Sequence, residues 1–210
     1  EDSAVRMLRT ICTSEAQFQA SNIVDQDVDG TGEYGFLQEL SGVVAPRSPD
    51  RQSSPVNPTY LPASLGESAS QNRGIATKNG YHFYLYLPGR EKEAIGEKAG
   101  NSAAPPEFSD AQENKYICYA WPVEYGKTGY KVFVVDQVGE IIEAKNKAEL
   151  YSGAKKPTAN AALPTGAANF EKTSDINITG NDGQIWVTYG ASSTIQSDVD
   201  SESDSNGKQL

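Results

Sequence analysis

The residues of this 210-residue chain that could do chemistry are few and unevenly placed, and the densest group is acidic. Asp25, Asp27 and Asp29 alternate along the chain and lead into Gly30. Carboxylates at alternate positions ahead of a glycine match the opening of a calcium loop. There, positions 1, 3 and 5 supply oxygens and a glycine at position 6 permits the sharp turn. An EF-hand would carry a bidentate glutamate at the twelfth position. Here that position is Phe36, and Glu33 and Glu39 lie off register. Carboxylates so close repel one another unless a cation or water separates them. Two readings stand: a calcium site with Asp25, Asp27, Asp29 and Glu33 as ligands, or an acidic, glycine-rich turn ending a helix.

The remaining reactive residues point away from catalysis. The one histidine, His82, sits in the aromatic run Tyr81-His82-Phe83-Tyr84-Leu85-Tyr86 and is expected to be a satisfied strand residue rather than a base. The two cysteines, Cys12 and Cys118, are too far apart for a CxxC motif, and with a single histidine they do not assemble a zinc site. They would bridge if the first helix lies on the strand carrying Cys118 in an oxidising compartment; otherwise they are two buried thiols. Acid pairs such as Glu124 with Asp136 lack any visible perturbing environment. No glycine-rich loop leads from a strand into a helix to cradle phosphate. A net charge of −10 disfavours nucleic acid, and no apolar run approaches the ~18 residues of a membrane span. Asn177-Ile178-Thr179 is a formal glycosylation sequon. The expectation is a protein that is not an enzyme.

The elements that must position these residues follow from periodicity. Residues 3–22 read as a helix: Ala4, Leu8, Ile11 and Phe18 recur at three- and four-residue steps, Val5, Cys12 and Ala16 widen the stripe, and Ser3 is the expected N-cap. Residues 43–74, rich in proline, serine and asparagine, read as a long irregular loop. Strand signals follow at 81–87, 116–123, 130–135 and 140–144, and the last three are joined so tightly that they must form an antiparallel meander. Cys118 and Ala120 share one face, and Ile117, Tyr119 and Trp121 the other. A short helix is expected at 146–151 and a hairpin at 176–179 and 184–189, turning at Asn181-Asp182-Gly183; from Ser192 the tail is rich in serine and aspartate. The fold expected is α+β: an N-terminal amphipathic helix packed on an antiparallel meander sheet, with long irregular loops. Residues 1–150 form the helix-plus-sheet domain and 151–210 a loop-rich extension ending in the acidic tail.

Several segments together resemble a known family. Leu8-Arg9-Thr10-Ile11 followed by Ala16-Gln17-Phe18, the acidic segment ending Gly32-Glu33-Tyr34-Gly35, and Gly80-Tyr81-His82-Phe83 are similar to segments of bacterial type IV pilin-like proteins and type II secretion pseudopilins. So are Ala120-Trp121-Pro122-Val123 and the later run Thr128-Gly129-Tyr130, Phe133, Asp136, Gly139 and Ile141. The resemblance covers residues 3–42 and 78–144. It implies a pilin-like fold and a non-enzymatic subunit of an extracellular filament or of the protein-transport apparatus. The implied partners are other pilin or pseudopilin subunits or secretion machinery. It also implies a periplasmic or cell-surface location and a membrane-anchoring apolar segment ahead of Glu1 in the parent. The alternative function is a calcium-dependent extracellular binding module using the Asp25, Asp27, Asp29 and Glu33 group, a reading in keeping with the calcium loops of some pseudopilins.

Overall fold

Helix α1 (Asp2–Ala20) contains no glycine or proline, carries Asp2 in its first turn where the helix dipole favours a negative charge, and closes on Ser21, whose amide donates to Gln17 O and Phe18 O. It begins ahead of Ser3: Glu1 is the N-cap, because its carbonyl already accepts from Ala4 N and Val5 N. Ala4, Val5, Leu8, Ile11 and Phe18 are buried as expected, and Cys12 lies half-buried at the stripe's edge. Ala16 is exposed, while Ser14 and Glu15 are buried. The steps 4, 8, 11, 15, 18 track one helix face, so Glu15 occupies the core position and Ala16 is rotated away from it. This computed structural model describes residues 1–47, 54–90, 93–100, 108–167, 170 and 178–190. The sequon's Asn177, the start of the expected hairpin and the tail from Ser192 lie outside them.

Among the described residues the sheet has eight strands, all paired antiparallel. In chain order they are β1 (Ala76–Lys78), β2 (Tyr81–Pro88), β3 (Ala94–Gly96), β4 (Ile117–Pro122), β5 (Val132–Asp136), β6 (Ile141–Ala144), β7 (Ile178–Thr179) and β8 (Ile185–Thr188). Their spatial order is β1-β2-β4-β5-β6-β8-β7, with β3 beside β2. The expected meander is β4-β5-β6, and Phe83, Ala120 and Phe133 stand in register across β2, β4 and β5. The C-terminal hairpin joins the same sheet through Ile142↔Thr188 and its neighbours.

Both faces are buried at the centre of the sheet, where every residue of β2, β4 and β5 is buried. Tyr81, Phe83, Leu85, Cys118, Ala120 and Phe133 pack with α1; small Cys118 and Ala120 face the helix as expected. Tyr84, Tyr86, Ile117, Tyr119, Trp121 and Trp186 form the opposite cluster with Tyr151, Ala159, Ala161 and Ala162. The chain over that face is tied down through aromatic polar tips: Tyr86 Oη donates to Pro157 O (2.7 Å), Tyr119 Oη to Ala159 O (3.0 Å) and Trp121 Nε1 to Gly153 O (2.9 Å). A 3-10 turn, Lys147–Glu149, stands where the short helix was expected.

Residues 43–74 are not wholly irregular. They contain α3 (Ala63–Gln71), which packs on β1 and on the short α2 (Leu37–Leu40). Leu65 and Ala69, four residues apart, supply its buried stripe with Gly66 between them, and Leu61 just ahead of the helix is buried as well. The proline and serine content of the flanks masks that signal. A further short helix, α4 (Ser109–Gln112), precedes β4.

Candidate functional site

The loop after α1 turns back on itself through its own aspartates. Asp25 Oδ1 accepts from Asp29 N (3.1 Å), Asp25 Oδ2 from Gly30 N (3.1 Å), and Asp29 Oδ1 from Thr31 N (2.7 Å). Gly30 takes φ +94°, the left-handed conformation that glycine adopts freely. The turn gathers carboxylate oxygens of Asp25, Asp27 and Asp29 within 4.8 Å of one another. Two oxygens bound to one calcium at about 2.4 Å stand no further apart than that.

Glu33 is brought elsewhere. It is fully buried; Oε1 accepts from Gln26 N (2.8 Å) and from the Ser109 hydroxyl, and Oε2 from Gln26 Nε2 (3.3 Å). It anchors the base of the loop to α4 and stands outside the aspartate group. Two acids that sequence reasoning missed take its place. Asp110 on α4 and Glu113 just after it form a second group with Asp27, again within 4.8 Å. Nothing in the sequence pairs residues so far apart; the contact exists because Tyr34 N donates to Gln112 O (2.9 Å) and Glu33 holds Ser109.

Glu113 Oε1 is buried and has no hydrogen-bond partner. Desolvation, reinforced by Asp29, Asp27, Asp110 and Glu33, pushes its carboxyl up to about 7. Four other acids, Asp25, Asp29, Asp110 and Glu113, therefore converge on Asp27 in two groups, with hard oxygen donors suited to calcium.

The other sequence candidates are accounted for by packing. His82 is buried, bonds Thr77 Oγ1 through Nδ1 (2.8 Å) and lies 5.4 Å from the Trp121 ring; burial lowers its pKa. Cys12 and Cys118 are free thiols. Glu124 pairs with Lys127, and Asp136 Oδ1 accepts from Val138 N (2.9 Å) in the following turn. No helix among the described residues is long and apolar enough to cross a membrane.

No curated protein and no solved structure matches this chain. Residues 8–156 match a family described as a protein of unknown function, DUF2950. That match runs from α1 through the acidic loop and the whole β4-β5-β6 meander to the chain over the far sheet face, so the chain belongs to the DUF2950 family.

Proposed function

We propose that this domain is the non-enzymatic, extracytoplasmic head of a pilin-like or pseudopilin-like subunit. It works in a filament or a type II secretion apparatus at the periplasmic side or the cell surface. The observation carrying the reading is α1: a 19-residue helix whose apolar stripe from Ala4 to Phe18 lies against the meander, in the order of segments that the motif resemblance implies. Such a helix suits a rigid stem, with loops on the sheet left to meet partners. The same reading places an apolar membrane segment ahead of Glu1 in the parent. Fractionation of cells expressing the full-length parent is expected to recover it in the membrane and in sheared surface or periplasmic material, cross-linked to copies of itself or to other filament subunits. Recovery wholly in the cytosol would sink the reading.

A second reading, a calcium-dependent binding module, is favoured by the carboxylates converging on Asp27 and by the orphaned Glu113 Oε1. Calcium at about tenfold excess over its dissociation constant should stabilise the fold by roughly 1.4 kcal/mol, raising Tm by about 3 °C. Asp27→Asn, which touches both acid groups, should remove the shift while leaving the calcium-free Tm unchanged or raised, because like-charge repulsion is relieved. No heat of binding at millimolar calcium would dismiss the module.

A further inference from the structure

Beneath α1, three carboxylates and one guanidinium are sealed together. Glu15 on α1, Glu39 on α2 and Glu97 after β3 are at most 2% exposed, and Arg47 is 7% exposed. Between them the acids accept every amide of residues 35–38. Gly35 N donates to Glu15 Oε2 (3.0 Å), Phe36 N to Glu39 Oε2 (2.8 Å), Leu37 N to Glu97 Oε2 (3.2 Å) and Gln38 N to Glu97 Oε1 (2.8 Å). Gln38 Nε2 adds a further bond to Glu97 Oε1 (3.0 Å). The Arg47 guanidinium pairs with Glu39 at 3.2 Å. Among the described residues Glu15 and Glu97 make no ion pair, and Glu15 Oε1 has no hydrogen-bond partner. A buried carboxyl without a counter-ion is driven to its neutral form.

We propose that this cluster is a proton-operated latch: Glu15 and Glu97 seat the turn 35–40 beneath α1 in their neutral forms, and the turn is released when they ionise. Burial pushes Glu97 from its ordinary 4.5 up to about 8, overriding the donors on Gln38 and Leu37, with Glu39 pushing the same way. Glu15 is raised well above its ordinary value by burial, opposed by the Gly35 amide. The other titratable groups facing the pair are Cys12 on α1, Tyr34 and Arg47 in the flanking loops, Glu39 on α2, Tyr84 on β2, and Tyr116 and Cys118 on β4. Burial raises the three tyrosines and Cys118, so they stay neutral from pH 5 to 8. Lys98 lies exposed beside Glu97.

In the released turn both acids return to about 4.5. The seated form is therefore fully favoured below that pH and loses about tenfold per pH unit for each ionising acid as pH climbs toward the raised values. Release reaches the acidic loop, because Tyr34 connects the turn to α4 through Gln112 O and to Arg47 through its own carbonyl.

Hydrogen exchange on the 210-residue chain, corrected for intrinsic rates, tests this at pH 5, 6.5 and 8. Protection of the amides of residues 35–38 should fall more than about tenfold further than that of β4 and β5 amides. E97Q, permanently neutral, should flatten much of the fall, and E15Q, whose amide oxygen still accepts from Gly35 N, should flatten the rest. A protonated-carboxyl infrared band should be present at pH 7 and shrink in either variant, which decides the matter if one of them folds poorly. Equal pH dependence of turn and sheet amides, or no such band at pH 7, would overturn the latch.

Discussion

Arg47→Met is expected to cost about 3–5 kcal/mol of folding stability, read as a lower urea midpoint at unchanged slope. Arg47 does four things at once in a dry site. Its Nε lies 3.2 Å from Glu39 Oε1, its two terminal nitrogens donate to Gln112 Oε1 and Tyr34 O, and its guanidinium sits 5.3 Å from the centre of the Phe36 ring. Methionine keeps much of the volume but leaves the Glu39 carboxylate buried without a counter-charge, and strips partners from Gln112 and Tyr34. Removing one member of a buried pair is costly because of the charge left behind, not because the pair itself is strong. The double variant Arg47→Met with Glu39→Gln should therefore recover part of the loss. Recovery should be incomplete, since Glu39 also accepts from Phe36 N (2.8 Å) and Arg47 N (2.7 Å), and an amide presents only one acceptor to those two donors. Arg47→Lys should fall between wild type and methionine, because a lysine keeps the charge without the fork that spans Glu39, Gln112 and Tyr34. A loss under about 1 kcal/mol for methionine would show that the site is solvated in solution.

Most of the scaffold was legible because periodicity reports burial directly. The helix stripe through Leu8, Ile11 and Phe18, the two-residue alternation of Tyr81 to Leu87 and the tight β4-β5-β6 connections each carry a physical signature that short-range sequence contains. What was illegible depends on distance along the chain. Asp110 and Glu113 join the aspartate loop only because α4 docks on it through Gln112 and Ser109. Glu33, which looks like a ligand by position, turns inward because Gln26 and Ser109 offer it donors there. The buried acids Glu15, Glu39 and Glu97 were hidden for a related reason. Charged residues are read as surface, and their burial here is matched by backbone amides that no sequence pattern displays. Glu15 alone left a trace, since it falls on the apolar stripe of α1.

Phe18→Ala should cost about 3–5 kcal/mol, comparable with Arg47→Met but by an apolar route. Phe18 is fully buried in the last turn of α1 and meets Tyr60 edge to face at 5.4 Å. Its ring also fills the space left by Gly35, where a Cβ would come within 2.7 Å of Phe18 Cε1. The helix end, the turn at Gly35 and the loop carrying Tyr60 thus share one ring, and truncation opens a cavity that three separate backbones would have to move to close. Gln17→Ala, one residue away on the exposed face of the same helix, should change stability by less than about 0.5 kcal/mol. The contrast is what makes the pair informative: propensity is nearly equal at the two sites, so the difference isolates packing. On the pilin-like reading proposed above, a stem helix carrying load into its head needs its last turn fixed as firmly as its first. A Phe18→Ala variant as stable as Gln17→Ala would mean that α1 holds the sheet only by its earlier turns, and the rigid-stem reading would fail with it.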